Sequence, residues 1–343
     1  MVTTSLSSLR PLTAPSCVAG LAAVLMMGFS GPASAQTELT FATTLPEANP
    51  LVVEVFAPWV EALNEAAAGE FVVRIENGPT LANAANVYDR TVSGITDMGW
   101  GILGSVNAPF PRSFVSALPF IVEESGSGSR ALWSIFNSGL LAEDFGNVHM
   151  VSLVVTPPSG LHSTTPLQTQ ADLAGKKIRT ADRISSTLVS AFGATPISVP
   201  APEMYQGLET GLVDAIMTGW PGVVLFRLEE VSTEHLDVAL GAIPAGIFMN
   251  QQSFEGLSDA GRQILSTAGD RLVEDLGAWY DDVNSAYRAR VEAMDGHTVR
   301  ELDAAELASW RERGQAAVDQ WVAETPGGQQ ILDAFVAALD SAQ

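Results

Sequence analysis

Cysteine occurs once among 343 residues, at Cys17, and lysine twice, at the adjacent Lys176 and Lys177. A single thiol closes no internal disulfide and offers no thiolate ligand set. The four histidines, His149, His162, His235 and His297, are scattered with no H-x-x-x-H pair, so no metal site is expected. No G-x-S-x-G elbow occurs, and no S-x-x-K can exist with lysines only at 176 and 177. The GKK at 175–177 lacks the Ser or Thr and the glycine spacing of a phosphate loop. GWGILG (99–104) matches the dinucleotide pattern G-x-G-x-x-G, but Pro109 and Pro111 follow too closely for a helix to start cleanly. No cofactor is expected. Beyond residue 36 there is no apolar run long enough to span a bilayer.

Charge of one sign is scarce too: 17 basic residues stand against 39 acidic ones. Arg10 is the only charge before Glu38, and it precedes the apolar run VAGLAAVLMMGF (18–29) and the small-residue sequence PASAQ. That order is a secretory signal peptide, with cleavage expected after Ala35 and a periplasmic destination. Cys17 lies before the apolar run, which argues against a lipid-attached cysteine. Cleavage leaves 16 basic and 39 acidic residues, a formal charge of −23. So acidic a surface argues against nucleic acid as a partner.

Hydrophobic periodicity gives an α/β chain. ELTFAT, FVVRIENG and TDMGWGI read as strands, separated by helices at 50–69 and 83–94. This βαβαβ opening predicts a parallel sheet covered by helices. ESGSGS (124–129) reads as a flexible loop before a helix at 129–145 and the strand VHMVSLVV. A second α/β series runs from about residue 160, and GIFMN closes it before helical spacing takes over from Leu257 to Met294. Helices near 303–324 and 328–340 finish a tail that carries no strand in this reading. Two α/β series joined by a hinge make a cleft, and such sheets bind ligands beyond the carboxyl ends of their strands.

Four of the 17 basic residues fall in AGKKIRTADR (174–183). Lys176 and Lys177 read as the solvated edge of a polar strand. If Ile178 faces the core, Arg179 faces away from it near the strand's C-terminal end, where the cleft opens. A guanidinium there offers a planar fork matched to a carboxylate. The protein's net charge is no obstacle, because at physiological salt it is screened beyond about 8 Å.

Four passages carry a resemblance: NVYDRTVSGITDMGWG (86–101), FPRSFVSALPF (110–120), DLAGKKIRTADR with FGATPISVPAPEMYQGLETGLVDAIMTGW (172–183 and 192–220), and GIFMNQQSFEGLS (246–258). Their order and spacing resemble the solute-binding proteins of tripartite ATP-independent periplasmic (TRAP) transporters, the DctP-like family. The resemblance implies an α/β, two-lobed periplasmic-binding-protein fold with a hinge and a long helix spanning both lobes. It gives lobe I as 36–156 plus about 244–280, lobe II as about 157–243 plus 281–325, and a C-terminal helix at 326–343. It implies a receptor, not an enzyme, a monomer by default, that binds a small organic acid and delivers it to the TRAP permease membrane subunits.

Arg179 falls on the family's carboxylate-binding Arg. His162 stands where many members have a second Arg, and Thr218 near the place of a ligand-binding Asn. Trp220 and Trp100 are expected as cleft walls, and Arg183, Asn250 and Tyr88 as further ligand contacts. Two alternatives stay open: a receptor for another transporter or sensor kinase, and a secreted hydrolase or lyase using cleft carboxylates.

Overall fold

The computed structural model describes residues 37–106 and 108–342, so the expected signal peptide, 1–35, lies outside the described residues. Strands and helices are numbered in chain order. The first lobe is built on a five-stranded sheet of β1 (Thr37–Ala42), β2 (Phe71–Glu76), β3 (Met98–Ile102), β4 (Val148–Val155) and β10 (Pro244–Asn250), in the order β2-β1-β3-β10-β4. The first three run parallel, as the βαβαβ pattern requires, and β10 inserts antiparallel between β3 and β4. A π-helical turn, Val52–Phe56, leads into α1 (Ala57–Ala67), and α2 (Val87–Val92) precedes β3. Residues 50–67 are helical without a break, and Pro58 lies inside this run just after the π-helical turn, the local irregularity that accommodates its missing N–H.

The second lobe is a six-stranded sheet of β5 (Gly160–Ser163), β6 (Lys177–Thr180), β7 (Thr195–Ser198), β8 (Ala215–Thr218), β9 (Glu234–Asp237) and β11 (Thr298–Glu301), in the order β11-β9-β5-β8-β6-β7. The tail therefore does contribute a strand, contrary to its helical reading: β11 runs parallel to β9. Four residues between two long helices are too short to show a period of two. Helices α4 (Arg183–Ala191), α5 (Met204–Glu209) and α6 (Trp220–Leu225) cover the sheet.

After the short α7 (Gln251–Glu255), α8 (Asp259–Glu292) runs for 34 residues and joins the lobes. Along its first two-thirds Trp59 of α1 donates to the Ala268 carbonyl, and Trp279 of α8 donates to Glu54. Near its end Arg290 reaches Glu229 and Arg288 reaches Asp237, both in lobe II. Helix α9 (Ala304–Glu324) lies across the junction: Trp310 packs on Phe192 of lobe II, while the Trp321 indole donates to the Pro111 carbonyl of lobe I. Helix α10 (Gly328–Ala342) packs on α3 (Ser125–Asn137). The ESGSGS segment is not a loop, since α3 begins at Ser125, where Asp281 of α8 accepts from the N–H groups of Ser125 and Gly126.

The chain crosses between lobes at 156–159 and 238–243, and these crossovers are tied to each other. Thr156 N donates to Ile243 O, Ser159 N to Gly241 O and Leu240 N to Ser159 O, each at 2.9 Å. Gly241 has φ +122, and a Cβ there would sit 2.2 Å from the Ala117 carbonyl oxygen. Gly241→Ala is therefore expected to cost about 1–3 kcal/mol from backbone strain alone, seen as a lower urea midpoint. A midpoint equal to wild type would show that this hinge position tolerates a side chain.

Candidate functional site

Strand β6 is held at its N-terminal end by backbone: Lys177 N donates to Asp214 Oδ2, and Asp214 N donates to the Lys177 carbonyl, both at 2.7 Å. The lysine side chains end in nearby loops, Lys176 on Thr165 and Lys177 on the Gly211 carbonyl. Ile178 is fully buried on one face of the sheet. Arg179 points to the other face and is only 8 % exposed. Its Nε donates to the Val199 carbonyl at 3.0 Å, and among the described residues no carboxylate lies within 4 Å of it. Burial pushes the guanidinium below its ordinary pKa, with Asp182 opposing that shift. Burial likewise pushes Asp182 up, against the pull of its bonds from Ser185. Asp182 caps α4, accepting from Ser185 N at 2.9 Å.

The turn after Arg179 meets lobe I. A Cβ built on Gly104, just past β3, would lie 3.8 Å from the Ala181 carbonyl oxygen, 3.9 Å from the Phe114 ring and 3.3 Å from Ile243. The carboxyl ends of β3 and β6 thus face each other across the junction, the place where α/β sheets take ligands.

One row of cross-strand partners runs through the whole second sheet: Val299, His235, His162, Ile216, Arg179 and Ile197. Side chains in such a row share a face, so His162 lies two strands, about 10 Å, from Arg179 on the same side. Its bonding is directional. The Thr218 carbonyl can only accept, so His162 Nε2 carries the proton and donates to it at 3.0 Å. His162 Nδ1 then accepts from His235 Nδ1 at 2.9 Å, and His235 Nε2 accepts from His297 Nδ1 at 3.1 Å. Desolvation lowers the pKa of His162 to about 4 and that of His235 to about 3, so both are neutral near pH 7. Among the described residues no three side chains converge as a metal-ligand set. The imidazoles are strung in a line.

Trp220, the first residue of α6, is buried beside this line, with its ring centre 4.9 Å from that of His162. Its indole donates to Asp237 Oδ1 at 3.0 Å, and Arg288 of α8 donates to Asp237 Oδ2 at 2.6 Å. The helix that joins the lobes is thereby wired to Trp220. Sequence reasoning missed His235, His297, Asp237, Asp182 and Arg288. Most of them come from separate elements and meet only through sheet pairing, so no local spacing marks them.

The expected site residues divide by place. Arg179, His162, Thr218 and Trp220 share the lobe II face, with Thr218 closing β8 at the same end as Arg179. Neutral His162 spends its only N–H on Thr218, so it has none for an anion. Arg183 sits on the exposed rim, paired with Glu324 at 2.7 Å. The other three sit in lobe I. Trp100 is buried in its core, edge-on to Phe56 at 5.0 Å. Tyr88 is buried edge-on between Phe110 and Phe248. Asn250 ends the antiparallel β10, opposite the carboxyl ends of β1 to β3, and its amide donates to the carbonyls of Thr91 and Val92 while capping α7.

The profile of the bacterial extracellular solute-binding protein family 7, DctP, matches residues 41–325. The chain belongs to this family. The ectoine-binding periplasmic protein TeaA of Halomonas elongata is 25% identical over 287 residues, 80% of this chain and 82% of that protein. Among solved structures, a TRAP solute-binding protein of Bordetella bronchiseptica with bound mandelate superposes with a TM-score of 0.80 at 25% identity, over 90% of this chain and 100% of its own. A marine metagenome TRAP solute-binding protein specific for aromatic acids, in complex with 3-hydroxybenzoate, gives 0.83 at 22% identity over 90% and 100%. DctP proteins are solute receptors, and the two-sheet fold described above is theirs. No helix among the described residues is long and apolar enough to cross a membrane.

Proposed function

We propose that this DctP protein is a periplasmic receptor that closes around a small organic acid and delivers it to a TRAP permease. The observation that carries the reading is Arg179: a residue only 8 % exposed, at the lobe junction, whose guanidinium has no carboxylate partner within 4 Å among the described residues. A buried charge is retained without a counter-ion when something else supplies one, and the ligand carboxylate does so here. The ligands named for its relatives, ectoine, mandelate and 3-hydroxybenzoate, each carry a carboxylate.

Closure proceeds about the paired crossovers at 156–159 and 238–243, with α8 bending or sliding between lobes. Ligand contacts from both sides then stabilise the shut form. Export through the N-terminal signal, action as a monomer and the absence of catalysis belong to the same reading. His162 and His235 have every ring nitrogen engaged, so neither is a free general base.

A thermal-shift screen of organic acids, with mass spectrometry of co-purifying small molecules, tests this. At a hundredfold excess over Kd a true ligand adds about 2.7 kcal/mol, on the order of 5 °C for a chain of this size. Steady turnover of any acid by the purified protein would replace the receptor with the hydrolase or lyase alternative.

A further inference from the structure

We infer, resting on the receptor reading above, that the ligand is a monoanion: one carboxylate on a body with no second negative charge. The inference comes from counting charges at the junction. Of all described arginines, Arg179 alone is buried without an ion pair; the others are paired or exposed, and both lysines lie at the far end of β6. His162, on the same face of the sheet as Arg179, gives its single N–H to Thr218 and accepts from His235, so it adds neither charge nor donor. Arg183 is 73 % exposed at the side chain and held by Glu324.

Negative charge is already present. Asp182 lies close enough to Arg179 to perturb it electrostatically, and its carboxylate is fixed as the cap of α4. A second ligand carboxylate would be desolvated with no cation and would face Asp182 as a like charge. Gly104 of lobe I, which approaches this turn at the Ala181 carbonyl, and its own neighbours Phe114 and Ile243 are uncharged and suit an uncharged or apolar ligand body. The protein's own charge acts in the same direction, because long-range repulsion slows a dianion more than a monoanion at low salt.

Calorimetry and thermal shift with matched acids decide the matter: benzoate against phthalate and terephthalate, butyrate against succinate, 2-oxobutyrate against 2-oxoglutarate, each with wild type and Arg179→Ala. Within any pair that binds, the monocarboxylate is expected to bind at least 100-fold more tightly, and Arg179→Ala is expected to remove the response. A dicarboxylate that binds within tenfold of its partner, or better, and still needs Arg179, overturns the inference while leaving the receptor intact. Loss of that dicarboxylate in Arg183→Ala would identify the second cation. Binding that survives Arg179→Ala, or no binding by any acid, sinks the receptor reading itself.

Discussion

Arg179→Ala abolishes the ligand-induced rise in melting temperature and leaves the unliganded protein as stable as wild type or slightly more so. Both halves follow from one desolvated guanidinium. An arginine stays protonated, so in the free protein the charge is held in a poor environment by one hydrogen bond to Val199. Removing the side chain loses that bond, about 1 kcal/mol, and also relieves a buried charge that has no direct ion pair and only the nearby Asp182 to offset it. In the complex the balance reverses. Deleting one partner of a buried charged pair costs about 2–5 kcal/mol, roughly 30- to several-thousand-fold in Kd. Arg179→Lys keeps the charge but not the planar fork, so an intermediate loss is expected. Thermal shift and calorimetry on the three proteins read this directly. A large fall in stability of unliganded Arg179→Ala would make the residue structural, and undiminished binding would remove it from the site.

The family resemblance and the alternation of Ile178 with its neighbours made Arg179 legible, because a strand's facing is a local property. The parallel opening of lobe I was legible for the same reason. What escaped were features decided by distant partners. Ser125, Gly126 and Gly128 have loop composition, but α8 makes them helical: Asp281 binds two free N–H groups, and Gly128 packs so close to Val122 and Val155 that no side chain fits. Trp100 is expected at the cleft from its place at the end of the third strand, and Asn250 as a hydrogen-bond donor there. The first is an aromatic that satisfies the lobe I core, and the second sits at the wrong end because β10 runs antiparallel, a direction that strand periodicity does not encode. In the line His162–His235–His297 the first two sit on β5 and β9 and the third immediately precedes β11. Only the sheet order, β11-β9-β5, brings them together.

That line has a measurable consequence in acid. His162 and His235 have pKa values of about 4 and about 3 when folded, lowered from 6.5, chiefly because burial disfavours the charged ring. The unfolded chain therefore binds more protons than the folded one between these values and 6.5. Stability is complete above about pH 6.5 and falls as pH drops toward about 4 and 3. At about 1.4 kcal/mol per unit for each ring, going from pH 7 to 5 costs on the order of 4 kcal/mol for the pair. Protonation also breaks the directional bonds, since a doubly protonated His162 cannot accept from His235. His149, stacked on Phe254 and likewise lowered to about 4 by burial, adds to the loss. Asp144 and Asp182, raised by burial, act in the opposite sense at lower pH. A variant comparison isolates one ring: urea unfolding at pH 7, 6 and 5 is expected to show a fall about 2 kcal/mol smaller for His235→Gln, whose side chain does not titrate, while His162 and His149 still contribute theirs. The two slopes, not the absolute stabilities, carry the test. Equal slopes would mean that the folded protein protonates His235 as easily as the unfolded chain does, and that this ring is open to water.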